Sequence, residues 1–251
     1  MKKKIVLLSI IICAMVVAFW QLSKKPKIVS DDSIIVGTNP EFPPFEFKEN
    51  DTLIGFDIDL INLIGKGLKK KINIKEVSFD VLIPATQIGS IQIIASGMTP
   101  TKERAQRILF TKPYLTSGFL CIVTRTNNPL ETVEALQGKE IVVTEASTAD
   151  LYMSKIEGVN LTRLQTTSDC FLALTSGRAE VFVASKNSIA PLFEKKSKSD
   201  FNVAAIPGTS ESSALGVSKK HGELLPKIQA VLDQLEQDGT IKALKEKWKL
   251  N

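Results

Sequence analysis

The chain is sparing with the residues that most often carry chemistry. It has one histidine, His221, in 251 residues, which argues against a histidine-rich metal centre and against a serine–histidine triad. His221 stands in the polar run Lys219-Lys-His-Gly222 and reads as a surface histidine. Aromatics are only 6 % of the sequence, and no basic stripe carries aromatics between its charges, so nucleic acid is not expected as a partner. Net charge is small. Of the +5 total, three charges are Lys2, Lys3 and Lys4, which leaves +2 for the rest. No segment repeats at a fixed period. Nothing calls for a cofactor or a metal, and a monomer is expected.

Long apolar runs are missing too, with one exception at the start. Three lysines precede an apolar run over residues 5–20, a charged segment and a hydrophobic one, short for a membrane span of about 20 residues. Val16-Val-Ala18 offers a small residue where a signal peptidase could cut. A lipoprotein anchored through Cys13 and an uncleaved anchor ending at Lys24-Lys25 are the alternatives. All three put the folded part outside the cytoplasm, periplasmic or anchored to the membrane. Residues 1–18 thus read as signal peptide or anchor, and 19–33, rich in Ser, Lys, Pro and Asp, as a tether. Beyond them only Cys121 and Cys170 remain. An exported compartment permits a disulfide between them; two buried free thiols is the other reading.

What is present suits a globular α/β protein: 43 % hydrophobic and 24 % charged residues, enough for a core and too apolar for disorder. A strand over 34–36 ends at Gly37, and a loop with three prolines follows. Ile58, Ile61, Leu63, Ile64 and Leu68 recur at helical spacing with Asp57 as the expected N-cap. A strand over 72–77, a helix over 81–88 and a buried strand over 91–95 complete a first α/β unit. The pattern restarts at Phe119, with strands at 119–124, 141–143 and 181–183. Helices are expected over 132–138, after Asp150, over 169–176 and from Ser188. Two strands near 203–206 and 215–217 and two amphipathic helices, 223–236 and 241–248, close the chain. The expected architecture is two lobes, 34–116 with 213–251 and 117–212. The chain crosses between them near 116–118 and 208–214, both rich in small residues as hinges are.

The densest candidate chemistry lies in Ser96-Gly-Met-Thr-Pro-Thr-Lys-Glu-Arg104, just past the strand over 91–95. In open parallel sheets ligands bind beyond the carboxyl ends of strands. Gly97 lets backbone approach a ligand, Met98 adjoins it, and Thr99 offers a hydroxyl and an N–H. Thr101 can cap a helix from Lys102, on which Arg104 can return a bidentate fork to a carboxylate. Phe42 sits in the proline-stiffened loop, where an aromatic has little reason to be buried. Phe79 reads equally as core. Ser147-Thr148 before Leu151 reads as an ordinary N-cap that could also face a ligand.

The chain resembles the polar-amino-acid family of periplasmic solute-binding proteins (ABC transporter solute-binding protein family 3). The matching stretches are Gly37-Thr-Asn-Pro-Glu-Phe-Pro-Pro-Phe-Glu-Phe47, Gly55-Phe-Asp-Ile-Asp-Leu60, Phe79 with Leu82-Ile-Pro-Ala85, residues 97–104 and Phe110-Thr-Lys-Pro-Tyr114. Tyr152, Ser176-Gly-Arg178 and the tail from Asp238 to Trp248 fit as well. The resemblance implies a two-lobed type II binding fold that clamps an amino acid or related small carboxylate and delivers it to ABC transporter membrane subunits. It implies that Arg104 holds the α-carboxylate with Thr99, that Gly97 offers a carbonyl to the α-amine, and that Phe42 and Phe79 sandwich the side chain. It further implies that Asn39 meets the side chain's far end and that Ser147 and Thr148 donate backbone N–H groups.

One departure stands out. Ser185 occupies the position where the family usually carries an aspartate for the ligand's ammonium, and a buried ammonium without a counter-charge is costly. Either Glu145 supplies that charge, or Ser185 and carbonyls suffice, or the ligand lacks an α-amine. Ala146 stands where the family often has glycine. Asn39, uncharged, points to a neutral ligand side chain. Two other classes remain in view: a cyclohexadienyl-dehydratase-like enzyme with Glu145 as its acid or base, and a surface adhesin or sensor that has lost tight binding.

Overall fold

Two five-stranded sheets organise the computed structural model, which describes residues 32–194 and 198–250. The first sheet runs in the order Lys71–Glu76, Ser33–Thr38, Ile93–Ile94, Gly216–Val217, Leu109–Phe110. Ser33–Thr38 pairs in parallel with Ile93–Ile94, and Gly216–Val217 is antiparallel to both its neighbours. The second runs Asn160–Leu164, Glu140–Thr144, Val181–Ser185, Leu120–Arg125, Phe201–Ala205; its first three strands are parallel and the last two pair antiparallel.

Strands such as Val181–Ser185 are apolar almost throughout because helices cover both faces of the sheet, and Val181, Phe182, Val183 and Ala184 are all buried. Around the first sheet, one apolar cluster joins Ile34 and Val36 to Phe56, Leu60, Ile61 and Ile64 of the Phe56–Leu68 helix and to Ile228 and Leu232 of the Leu224–Gln237 helix. Leu82, Ile91, Ile94 and Met98 fill the other face. Around the second, Cys121, Cys170, Phe171 and Phe182 pack on one side, and Ile122, Val143, Met153 and Val183 on the other. Cys121 and Cys170 are free and buried, the thiol reading rather than the disulfide.

The chain leaves the first sheet through Leu115–Gly118 and returns through Glu211–Ser213. These two segments pair antiparallel, with Glu211 opposite Gly118. Together they form a two-stranded ribbon. Several other expectations change. Gly55, not Asp57, caps the Phe56–Leu68 helix. The helix over 132–138 shrinks to a single 3-10 turn, Glu134–Leu136. Within and beyond the proline loop stands a three-stranded antiparallel sheet of Glu41–Phe42, Glu46–Glu49 and Thr52–Ile54 that the sequence pattern does not announce. His221 lies in a short turn, Lys219–His221, partly exposed, 3.8 Å from Glu223. The signal or anchor segment, Cys13 and all but the end of the tether lie outside the described residues. Among those described, no helix is long and apolar enough to cross a membrane, and no side-chain group could hold a metal.

Candidate ligand-binding site

The run from Ile93–Ile94 to the Lys102–Arg107 helix turns sharply at Gly97, whose φ of 52° lies in the left-handed region. A Cβ there would come within 2.5 Å of the Phe42 ring, so glycine both allows the turn and lets the ring close over it. Thr101 caps the helix, its hydroxyl accepting from the Arg104 N–H at 3.2 Å. That cap fixes the turn from which the Arg104 side chain starts. Nη1 then donates to the Thr99 carbonyl and Nη2 to the Ala146 carbonyl, each at 2.8 Å, and the guanidinium lies 5.4 Å from the Phe79 ring centroid. Burial pulls the Arg104 pKa down to about 10, which still leaves a cation at neutral pH. The two carbonyls take two of its five N–H donors.

This arginine faces a cavity that is partly open to solvent. Nine of the ten residues singled out from the sequence line it: Asn39, Phe42, Phe79, Gly97, Thr99 and Arg104 from the first side, and Ser147, Thr148 and Ser185 from the second. Phe42 also stacks on Phe45, with ring centroids 5.0 Å apart, so its ring is held as well as presented. Ser147 caps the Thr148–Met153 helix by accepting from the Asp150 N–H, which commits its hydroxyl to the cap. Ala146, with φ 58°, holds a conformation glycine would take freely. Its N–H donates to Asp150 Oδ2 at 2.9 Å while its carbonyl receives Arg104.

The tenth residue, Met98, is a correction. Its side chain is buried in the apolar cluster with Leu82 and Ile94, and does not line the cavity. Gly97 and Thr99 on either side face the ligand space, while the turn at Gly97 leaves Met98 packed in the core. Glu145 is a second correction. It accepts from Gln165 at 2.5 Å and is not part of the cavity lining, so it is neither the missing counter-charge nor a placed acid or base.

Behind Gly97 sits a buried acidic group that sequence reasoning missed. Asp57, expected as a helix cap, accepts from the Tyr114 hydroxyl at 2.6 Å and from the Gly97 N–H at 2.8 Å. Burial raises its pKa to about 6 despite both bonds. Glu46 lines the cavity itself. Its Oε1 accepts from Ser96 at 2.9 Å, its Oε2 has no hydrogen-bond partner among the described residues, and burial lifts its carboxyl well above the usual range.

Glu211 was missed as well. It is 9 % exposed, and its Oε2 accepts from Thr148 at 2.9 Å and from Thr99 at 3.5 Å. Burial raises its carboxyl pKa, while the hydroxyls and the Arg104 charge act the other way. Glu41, Glu46 and Glu211 are the lining carboxyls, and Arg104 is the one cationic side chain in the lining among the described residues. The uncharged Asn39 therefore does not make this a neutral cleft.

The sequence pattern of the bacterial extracellular solute-binding proteins, family 3, matches residues 34–251. The arginine-binding extracellular protein ArtP of Bacillus subtilis (strain 168) is 28 % identical over 220 residues, 86 % of this chain and 85 % of that protein. A mutant of ArgBP from T. maritima superposes with a TM-score of 0.82 at 34 % identity, covering 90 % of this chain and 98 % of that one. An ancestral arginine-binding protein bound to arginine gives 0.81 at 34 % identity, covering 86 % and 98 %. The two sheets and their paired crossings are thus a type II periplasmic binding fold, and the chain belongs to the bacterial extracellular solute-binding proteins, family 3.

Proposed function

We propose that the protein captures a cationic amino acid outside the cytoplasm and presents it to the membrane subunits of an ABC importer. The observation that carries this reading is the composition of the cleft: a buried Arg104 fork for one carboxylate, in a lining whose other ionisable groups are all carboxyls, Glu41 and Glu211 in addition to the buried Glu46. A zwitterion would leave that lining with excess negative charge, whereas a ligand with a second positive charge offsets it. The names of ArtP and of the arginine-bound ancestral protein agree with that charge. In this reading Phe42 and Phe79 flank the aliphatic stem, and Glu41 meets the side-chain cation. The residues 34–116 with 213–251 and the residues 117–212 act as lobes that close on the ligand.

Thermal unfolding against the twenty amino acids tests it. A ligand at 100 times its dissociation constant stabilises the fold by about 2.7 kcal/mol, so arginine, lysine or both should raise the midpoint clearly. A shift with neutral or acidic amino acids alone would overturn the charge assignment. No shift with any amino acid, for a protein shown to be folded and ligand-free, would overturn the transport reading in favour of an adhesin or sensor.

A further inference from the structure

An α-amino acid held by Arg104 must place its ammonium one carbon away from the carboxylate that the guanidinium grips. A counter-ion for it therefore has to stand at Arg104's own end of the cavity. Position 185, at the end of the Val181–Ser185 strand, supplies only a hydroxyl. Glu211 stands at that end. It is close enough for its charge to bear on Arg104, and its carboxylate is reached by Thr99, whose own carbonyl receives Arg104. Thr148 from the opposite wall reaches the same oxygen. Among the described residues no salt bridge within 4.0 Å includes Glu211; Arg104 acts on the carboxylate only from a longer distance.

We propose that Glu211, on the ribbon joining the two sheets, is the counter-ion of the ligand's α-ammonium and takes over the charge absent from position 185. This rests on the amino-acid reading above. Two neighbours fit the relocation. Gly118 lies opposite Glu211 in the ribbon, and a Cβ there would sit 2.5 Å from the Glu211 Cβ, so glycine keeps the place open. Ser185 lines the same cavity as Glu211, close enough to act on its carboxyl; an aspartate there would set two carboxylates against each other, and like charges sharing a site cannot both ionise cheaply. Because Glu211 accepts from both walls, the ammonium it binds joins a cluster that exists only when the walls meet.

Calorimetric titration with arginine and with its deamino analogue 5-guanidinopentanoate isolates the ammonium. If another amino acid gives the largest shift in the thermal panel, that amino acid and its deamino analogue are used instead. The wild type should prefer the amino acid by ~30-fold or more, the lower end for pairing a buried charge. Glu211→Gln should cut the preference to within ~3-fold, as weak residual pairing would leave it, and keep the affinity for the analogue. Glu211→Gln with Ser185→Asp should restore the preference, whereas Ser185→Asp alone should weaken amino-acid binding. A Glu211→Gln protein that keeps the full preference overturns the assignment while leaving the amino-acid reading intact. Equal loss for both ligands also overturns it, since that would mark Glu211 as structural. A wild type that binds both ligands equally well overturns the assignment and the amino-acid reading together.

Discussion

Arg104 and Gly97 depend on each other, and each predicts its own failure. Arg104→Ala removes the fork and strips the Thr99 and Ala146 carbonyls of their donor, so carboxylate binding should fall by ~100-fold or more, with the unfolding midpoint as the control for folding. Affinity within a few-fold of wild type would sink the clamp assignment. Arg104→Lys should not rescue it, because a point charge cannot serve two carbonyls and a carboxylate at once. Gly97→Ala should lower stability and binding together, since it strains the left-handed turn and its Cβ would strike the Phe42 ring; an unchanged urea midpoint together with an unchanged affinity by calorimetry would contradict that. These residues were legible because Arg104, Thr99 and Gly97 follow one strand in one short run. Met98 was misplaced because its apolar side chain turns into the core at the bend that Gly97 makes. Glu211 could not, for it lies in a polar run with no periodicity, and its burial depends on pairing with Gly118, distant in sequence.

At the scale of elements, the helix Lys102–Arg107 is only six residues long and relies on its cap. Thr101→Ala should cost about 1 kcal/mol of stability and loosen the aim of Arg104, read as a lower midpoint together with weaker binding. The Phe56–Leu68 helix carries a pH dependence through Asp57. In the fold this carboxyl holds its proton up to about pH 6, whereas the unfolded chain releases it near its ordinary value of 3.8. Its contribution is complete below about pH 4 and lost as pH rises through 6, a swing of about 3 kcal/mol. Urea unfolding at pH 4 and pH 7 should therefore show the wild type losing that much relative to Asp57→Asn; parallel behaviour would mean the carboxyl ionises as if exposed. The long amphipathic helices were legible because apolar spacing survives in a single sequence. The Glu41–Phe42, Glu46–Glu49 and Thr52–Ile54 strands were not, because two to four residues among prolines and charges are too few to show a period.

For the whole molecule, the bonds between its two sides are few and unequal. Lys155–Glu103 bridges them at 3.1 Å, but both side chains are more than half exposed, so it contributes little. The closures that matter are buried: Arg104 on Ala146 and Thr99 on Glu211. If ligand binding shifts an open population to this closed one, small-angle scattering should give a smaller radius of gyration with ligand than without. An unchanged radius across a saturating titration would count against hinge closure. The two-sheet plan was legible from the order of strands and helices, since the pattern stops and restarts at Phe119. The ribbon that joins the halves was not, because its residues are small and polar and its pairing is long-range.

The two thiols of the folded part have a practical consequence. Cys121 and Cys170 are packed in one apolar cluster, and burial pushes their pKa values up to about 11 and about 12, so neither offers thiolate to a reagent near neutral pH. A single cysteine introduced at the cleft rim would then be the one reactive handle among residues 32–194 and 198–250. A dye attached there would report opening and closing in real time, with no need to remove the native sulfur, and would turn the protein into a sensor for whatever it captures.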